Sequence, residues 1–289
     1  MANDAAPRRF AVAFHPELEG AESEAGEITL SLQHEGIQTV LQTSLLDKNL
    51  QNVIDAGQID CLITIGGDGS MLRASRLCAH QGVPILGINL GAVGFLMEIQ
   101  KGEWGRYLSR LLQGDFRREE RMMLRARHLR GEKMLGEWEV VNEVVVCRGQ
   151  MVKPIQLHAS VDGYPMASYV ADGLIAATPT GSTAYALAAG GAIMPPELRN
   201  ILVIPVAAHL SPERAIILSE GASVAITVNT SHEAVLSADG QEPELMQDGD
   251  CVHVEASERN VIFIRFHDPG YFYRTLNRYM GKNPSTNTG

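Results

Sequence analysis

The hydrophobic pattern changes texture near residue 115. Before it, short apolar runs of strand length alternate with stretches of helical spacing. Runs at 10–15, 38–41, 61–65 and 84–90 predict strands, and the segments 17–35, 49–56, 70–80 and 101–113 predict helices between them. In the last of these, Trp104, Leu108, Leu111 and Leu112 fall on one face. Strands and helices in alternation, joined by glycine-rich turns, predict an α/β domain with an open, mostly parallel sheet. Ligands of such sheets sit at the carboxyl ends of the strands. From Phe116 to residue 265, period-two alternation takes over in runs such as EWEVVNEVVVC, IQLHASVDG, NILVIPVA and CVHVEA, which is an all-β signal interrupted only at 172–191. Residues 271–280 predict a short amphipathic helix. The first seven residues and the terminal GKNPSTNTG are expected to be disordered or frayed. The expected organisation is an α/β domain over 8–115, a β-rich domain over 116–265, and a C-terminal segment over 266–289 packed back on the first domain. No long linker separates the domains, so they are expected to abut and form a cleft.

The pattern is organised around one stretch, CLITIGGDGSMLRAS at 61–75. A buried strand ends in Gly66, Gly67 and Gly69 around a single carboxylate, Asp68, and Ser70 is placed to cap the helix that follows. Glycines reach φ > 0 and let a ligand approach bare backbone, and a helix beginning here points free N–H groups above the turn. The turn has neither the lysine of a Walker A loop nor GxGxxG spacing. Two readings stand: a catalytic base beside a phosphate nest, or a tight strand-to-helix turn with a capping aspartate.

Composition narrows the classes. At 289 residues and a formal charge of −10, the chain is long enough for two cores and too acidic to have nucleic acid as its main partner. The one basic run, 117–130, holds six arginines broken by Glu119 and Glu120 and reads mainly as the exposed face of strands, with an anion-facing role as the alternative. Four cysteines form no CxxC pair and the nine histidines show no ligand spacing, so buried free thiols and no structural zinc are expected. Neither a GxSxG elbow, a signal peptide nor a membrane-length apolar stretch is present. A soluble, cytoplasmic protein with no membrane partner is the expectation.

Two further constellations carry polar chemistry. Asn142 and Glu143 lie together inside an apolar strand, where a polar pair is costly unless satisfied. A structural pair and a ligand contact both answer that cost. Residues 172–191, DGLIAATPTGSTAYALAAGG, place a turn at Asp172 and Gly173, a short strand, and then a capped helix start near Ser182. Thr180, Ser182 and Thr183 can present oxygens, Ala184, Ala186, Ala188 and Ala189 leave little bulk, and Tyr185 offers an aromatic face with a polar tip. An ordinary capped helix packed through its alanines is the alternative.

GGDGS resembles the signature shared by NAD kinases, diacylglycerol and sphingosine lipid kinases and, more distantly, phosphofructokinases. With GxNxGxxGF at 87–95, Asn142-Glu143 and DGxxxxTPTGSTAYxxxxGG at 172–191 in that order, the chain resembles the bacterial NAD kinases over residues 10–279. PVAAHLSPERAII is similar to a later block of that family, with Ala208 and Ala215 where proline is usual, and Asp239-Gly240-Gln241 matches its late DGQ turn. The resemblance implies a Rossmann-like or phosphofructokinase-like first domain and transfer of the terminal phosphate of ATP, or of polyphosphate, to the 2′-hydroxyl of the adenosine ribose of NAD. It implies Asp68 as general base with Gly69 beside the same hydroxyl, and Arg73 at a basic position. Asn142 and Glu143 would hold the adenosine end, with Lys153 as a dinucleotide contact. Asp172 would take the nicotinamide amide, and Thr183, Ala184, Tyr185, Ala186, Leu187 and Ala188 would line the dinucleotide path. Gln241 would close the site. It also implies a divalent metal, Mg²⁺, carried on the donor phosphates without a protein cage, and a homodimer or homotetramer. One departure stands out. Several members carry arginine two residues before the Asp172 position, where this chain has Val170, so any phosphate contact there must come from elsewhere, such as Arg73 or Lys153. A lipid kinase of the GGDG type and a dinucleotide sensor without turnover are the rival readings. TPTGSTAY speaks against the first and an intact Asp68 against the second.

Overall fold

The computed structural model describes residues 6–91, 94–209 and 214–280, with side chains of the last helix followed to residue 276. The expected disorder of the first residues and of the terminal tail, and parts of the GxNxGxxGF and PVAAHLSPERAII blocks, lie outside the described residues. Two compact units result: residues 1–119 with 262–289, and residues 120–261.

In the first unit β1 (Arg9–Phe14), β2 (Thr39–Ser44), β3 (Cys61–Gly66) and β4 (Ile85–Asn89) are parallel, in the order β4-β3-β1-β2. Helices α1 (Ala21–His34), α2 (Lys48–Asp55) and α3 (Asp68–Cys78) connect successive strands, and a two-residue strand β5 (Ile99–Gln100) pairs with β4 before α4 (Gly105–Gln113). The inner strands β1, β3 and β4 are buried at every position but Arg9 and are mostly apolar because helices cover the sheet, with Thr64 and Asn89 as the buried polar exceptions. Helix α1 turns Ala21, Ala25, Ile28 and Leu32 inward at helical spacing, and buries Glu24 by letting its carboxylate accept the indole N–H of Trp104 at 2.8 Å.

The second unit is β throughout, apart from one short helical segment. Strands β6 (Arg117–Arg130), β7 (Lys133–Val140), β9 (Ile155–Val161), β10 (Tyr164–Ala171), β14 (Val224–Asn229) and β17 (Cys251–Arg265) make one layer, with β10-β9-β14-β17 as its main path. Strands β8 (Glu143–Arg148), β11 (Gly173–Ala177), β12 (Asn200–Val206), β13 (Ile216–Ser219), β15 (Ala234–Ala238) and β16 (Glu244–Met246) make an antiparallel sheet ordered β13-β12-β11-β8-β15-β16. Val144, Val146, Leu174, Ala176, Ile201 and Val203 face Leu157, Tyr169, Val224 and Val252 in the main core. The alternate positions Val145, Ile175, Ala177, Leu202 and Ile204 pack under Ala186 and Met194, so β8 and β11 are buried on both faces. The arginine run on β6 differs from the exposed face expected of it. Arg121 is buried and donates to Thr180 Oγ1 at 3.2 Å, Arg127 meets Glu255, and Arg130 meets the fully buried Asp250. The run is neutralised within the fold.

The C-terminal residues return to the first unit. Phe263 of β17 pairs parallel with Ile85, Phe266 lies 4.9 Å from the Tyr107 ring, and α6 (Tyr271–Met280) follows. All four cysteines are free. Among the described residues, no helix is long and apolar enough to cross a membrane.

Candidate active site

The glycine turn after β3 opens straight into α3, whose first residue is Asp68. The helix is therefore capped at Gly67, three residues before the Ser70 expected to cap it. Ser70 lies inside the first turn, buried over Gly66, where an added Cβ would fall 2.0 Å from its Oγ. Gly67, the residue before the helix, has φ −125°, so the turn does not use the positive-φ freedom of glycine. A Cβ on Gly67 or Gly69 would meet nothing within 4 Å. Bare backbone facing open space is what these two glycines provide.

Asp68 does not cap its own helix. One carboxylate oxygen accepts the backbone N–H of Phe95 at 2.8 Å and the other that of Leu96 at 3.1 Å. The loop approaches so closely that a Cβ on Gly94 would sit 2.0 Å from Asp68 Oδ1. Buried Asn89 folds the start of that loop, accepting Gly91 N–H at 3.2 Å and donating to Gln100 at 3.1 Å. The result is a half-buried carboxylate in a fixed orientation, with lone pairs left over for a further donor. Gly69 is exposed beside it, and Arg73, one turn along α3, donates its Nε to the Leu45 carbonyl at 2.8 Å.

In the second unit, Asn142 and Glu143 stand where β8 begins. Asp239 accepts the backbone N–H groups of Val141, Asn142 and Glu143 at 2.9, 2.7 and 3.3 Å. The residue adopts φ 49° to do so, in a turn continued by Gly240 at φ 66°. Thr178 closes the other side, donating its hydroxyl to the Val141 carbonyl at 2.5 Å and its N–H to Asn142 at 2.8 Å. With the backbone so fully used, the two side chains are left over. Asn142 Oδ1 and Glu143 Oε2 are both buried without a hydrogen-bond partner among the described residues. Burial, then the neighbouring charge of Asp239, pushes the Glu143 carboxyl up to about 8, with the Tyr185 backbone N–H opposing them. Buried acceptors left unpaired in a native fold call for a donor from elsewhere.

The 172–191 stretch folds differently from the continuous capped helix expected of it. Residues Gly181–Thr183 form one 3-10 turn, Ala184 breaks it at φ −104° and ψ −126°, and α5 (Tyr185–Ala188) is a single helical turn. The hydroxyls are spent inside the turn rather than presented. Ser182 is buried, donates to the Pro179 carbonyl at 2.6 Å and accepts Met194 N–H at 2.9 Å, while Thr183 donates to Thr180 at 3.0 Å. Gly181 is required here, since its Cβ would lie 2.1 Å from the Asn142 carbonyl. Ala186 is wholly buried in the core, whereas Thr183, Ala184 and Leu187 are half-buried and Tyr185 and Ala188 exposed. Asp172 is a one-residue bend between β10 and β11, with its N–H donating to the Val206 carbonyl at 2.9 Å, and Gly173 already belongs to β11.

Beside Asp172 lies a residue that the sequence pattern did not single out. Arg148, last in β8, sets its Nε 3.0 Å from Asp172 Oδ1. Tyr185 belongs to the same group: burial raises its hydroxyl above the usual phenol range, followed by the charges of Cys147 and Asp172, with Arg148 opposing. The register explains the grouping, because Cys147 pairs with Gly173 at one end of β8–β11 and Glu143 with Ala177 at the other. Sequence separation of 24 residues hid the pair; only strand pairing brings Arg148 to Asp172. Lys153 is exposed in a groove of about 270 Å³ with Gln156, Val170 and His232, and no hydrogen bond or ion pair joins it to this cluster among the described residues. Gln241 is half-buried and turned back, its Nε2 donating to Ala238 at 3.0 Å.

The first unit holds a carboxylate fixed at a glycine turn, and the second holds a buried polar pair at the start of a central strand. Comparison with known proteins gives these features a class. Residues 10–116 match the ATP-NAD kinase N-terminal domain and residues 141–266 the ATP-NAD kinase C-terminal domain. The NAD kinase of Chloroflexus aurantiacus is 34% identical over 268 residues, 93% of this chain and 96% of that protein. That of Symbiobacterium thermophilum is 40% identical over 222 residues, 76% of this chain and 78% of that protein. The crystal structure of yeast NADH kinase complexed with NADH has a TM-score of 0.83 at 22% identity, covering 98% of this chain and 90% of that one. The NAD kinase of Archaeoglobus fulgidus in complex with ATP has a TM-score of 0.77 at 24% identity, covering 95% and 100%. The chain belongs to the ATP-NAD kinase family, and its activity is that of an NAD kinase.

Proposed function

We propose that Asp68 is the general base of this kinase and that the acceptor is the 2′-hydroxyl of the adenosine ribose of NAD, with ATP as donor. The observation that carries the reading is the Asp68 carboxylate, fixed by two N–H donors and open on the side of Gly67 and Gly69. A ribose hydroxyl is a weak nucleophile, so a carboxylate accepting its proton directs the oxygen lone pair at the incoming phosphoryl group. Gly69 leaves room for that group, and the first N–H groups of α3 face the phosphates. Asn142 and Glu143 hold the adenosine end, where unpaired acceptors would meet the donors of base and ribose. Asp172, held by Arg148, takes the nicotinamide amide, and the ring of Tyr185 lies against the dinucleotide. Thr183, Ala184, Leu187 and Ala188 line its path, Ala186 serving only through backbone, and Gln241 closes the site. Arg73 and Lys153 remain candidate phosphate contacts, and Arg148 joins them as the cation nearest Asp172.

An ATP-using kinase works with a divalent cation. Among the described residues, no group of three acidic, histidine or cysteine side chains could hold one. An Mg²⁺ would be held mainly by phosphate and water, with Asp68 as the carboxylate of the glycine turn available to it. When bound, the ion neutralises charge on the donor phosphates, which an acidic chain of net charge −10 needs. Exposed Ile217 and Leu245 on the edge strands β13 and β16 support a homodimer or homotetramer, to be read by sedimentation. The deciding experiment is a coupled assay for NADP formation, run with ATP and with polyphosphate. Turnover with ATP supports the reading. Dinucleotide binding without turnover on either donor would make the chain a sensor instead.

A further inference from the structure

Away from the turn itself, the first unit buries a charge cluster that the proposed chemistry does not use. Arg265 is 5% exposed, at the end of β17. Its Nη1 donates to the Leu96 carbonyl at 2.8 Å and to Glu98 at 3.2 Å, and its Nε donates to Glu119 at 3.0 Å. Glu98 is itself buried, and its other oxygen accepts the backbone N–H groups of Phe266 and His267 at 2.7 and 3.0 Å and lies 2.7 Å from His267 Nδ1. A buried arginine between two carboxylates is costly to assemble and contributes little net stability over an apolar replacement. A role in placing something is the better account of its presence.

What it places is Leu96. The carbonyl of that residue is held by Arg265, while its N–H, with that of Phe95, is held by Asp68. The loop between Gly94 and Glu98 is thus clamped from both sides, by a guanidinium on one and the Asp68 carboxylate on the other. We infer that Arg265 is a positioning residue for Asp68, acting through the Leu96 backbone to fix the orientation of the base. The inference rests on the reading of Asp68 as the general base. Loss of the clamp frees the loop, the two N–H groups leave the carboxylate, and the carboxylate loses the orientation that aligns it with the acceptor hydroxyl. Misplacement by about 1 Å costs on the order of 100-fold in rate.

The test is a double-mutant cycle in the full chain, assayed for NADP formation, with NAD affinity and thermal unfolding measured in parallel. Arg265→Lys keeps the charge but cannot span Leu96, Glu98 and Glu119 together. It should lower kcat about 10- to 100-fold with KM for NAD within a few-fold. In the Asp68→Asn background the same substitution should have almost no further effect, because the group it positions is gone. If Arg265→Lys does not fold, Glu98→Gln takes its place in the same cycle, with a smaller loss of the same kind. An unchanged kcat, or a loss that persists at full size in the Asp68→Asn background, overturns the positioning role while leaving the base intact. Should Asp68→Asn alone stay within a few-fold of the parent, the base reading fails and the inference with it.

Discussion

Two carboxyl groups show how local surroundings set chemistry in this chain. Asp68 receives two N–H donors and stays half-open. Replacing it by Asn keeps the shape of the side chain and removes the proton acceptor, so kcat should fall roughly 10²- to 10⁴-fold while NAD still binds. Steady-state kinetics with a separate binding measurement reads this, and turnover within a few-fold of the parent would assign the base elsewhere. Glu143 is in the opposite situation, buried next to Asp239, with its carboxyl pushed up to about 8. The sign follows from proton counting. Between the ordinary carboxyl value and about 8, the folded chain holds a proton that the unfolded chain has released, so this group's contribution to stability falls as pH rises through that window. Glu143→Gln should flatten that slope and raise the Tm at pH near 8 relative to the parent. Melting curves at several pH values without ligand decide it; an unchanged slope would place the titration on another residue.

At the scale of elements, the strands and helices of the first unit follow from hydrophobic period and glycine turns, and their order was legible in the sequence. What periodicity could not show is where hydroxyls and cations end up. Ser182 and Thr183 look ligand-facing in TPTGSTAY, yet the chain turns too sharply at Ala184 for one continuous helix, and their oxygens close that turn instead. Arg148 reads as one more charge at a strand end until β8 pairs with β11. The Asn142-Glu143 pair was legible as a conflict between polarity and burial; that Asp239, about 100 residues later, holds only the backbone N–H groups and leaves the side chains unpaired depends on tertiary contact. The close approach of loop to base makes a sharp expectation. A Cβ at Gly94 would meet the Asp68 carboxylate at 2.0 to 2.7 Å, and the flexible carboxylate is the partner that would yield. Gly94→Ala should therefore reduce kcat by about 10-fold or more, with KM for NAD little changed. If kcat is unaffected, the carboxylate tolerates the displacement and its fixed orientation is not needed. For α5, the half-exposed Tyr185 ring should contribute about 1–3 kcal/mol to dinucleotide affinity on the scale of base–aromatic stacking, so Tyr185→Ala should weaken NAD binding and Tyr185→Phe should weaken it less. Equal affinity for all three forms would remove the ring from the site.

For the whole molecule, the length of the acceptor is the quantity at stake. The proposed adenosine contacts, Asn142 and Glu143, stand at one end of the β8–β11 pair, and Asp172 with Arg148 stands at the other. Four residues separate Glu143 from Cys147 in that register, which at about 3.4 Å per residue is roughly 13 Å. Tyr185 connects the two ends, with its N–H on Glu143 and its hydroxyl in the field of Asp172 and Arg148. A ligand that satisfies both ends must be extended, as a dinucleotide is and a nucleoside is not. Binding energy gained at Asp172 is then available to hold the ribose hydroxyl in line, and energy of that kind is expressed in kcat as well as in KM. NAD should therefore give a much higher kcat/KM than adenosine, with ADP-ribose between them, at saturating ATP and Mg²⁺. Asp172→Asn should narrow the gap between NAD and ADP-ribose while leaving adenosine unaffected, because only NAD carries the amide. Equal kcat/KM for the three acceptors would show that the Asp172 end contributes nothing to catalysis, and the extended placement of the dinucleotide along β8 and β11 would have to be abandoned.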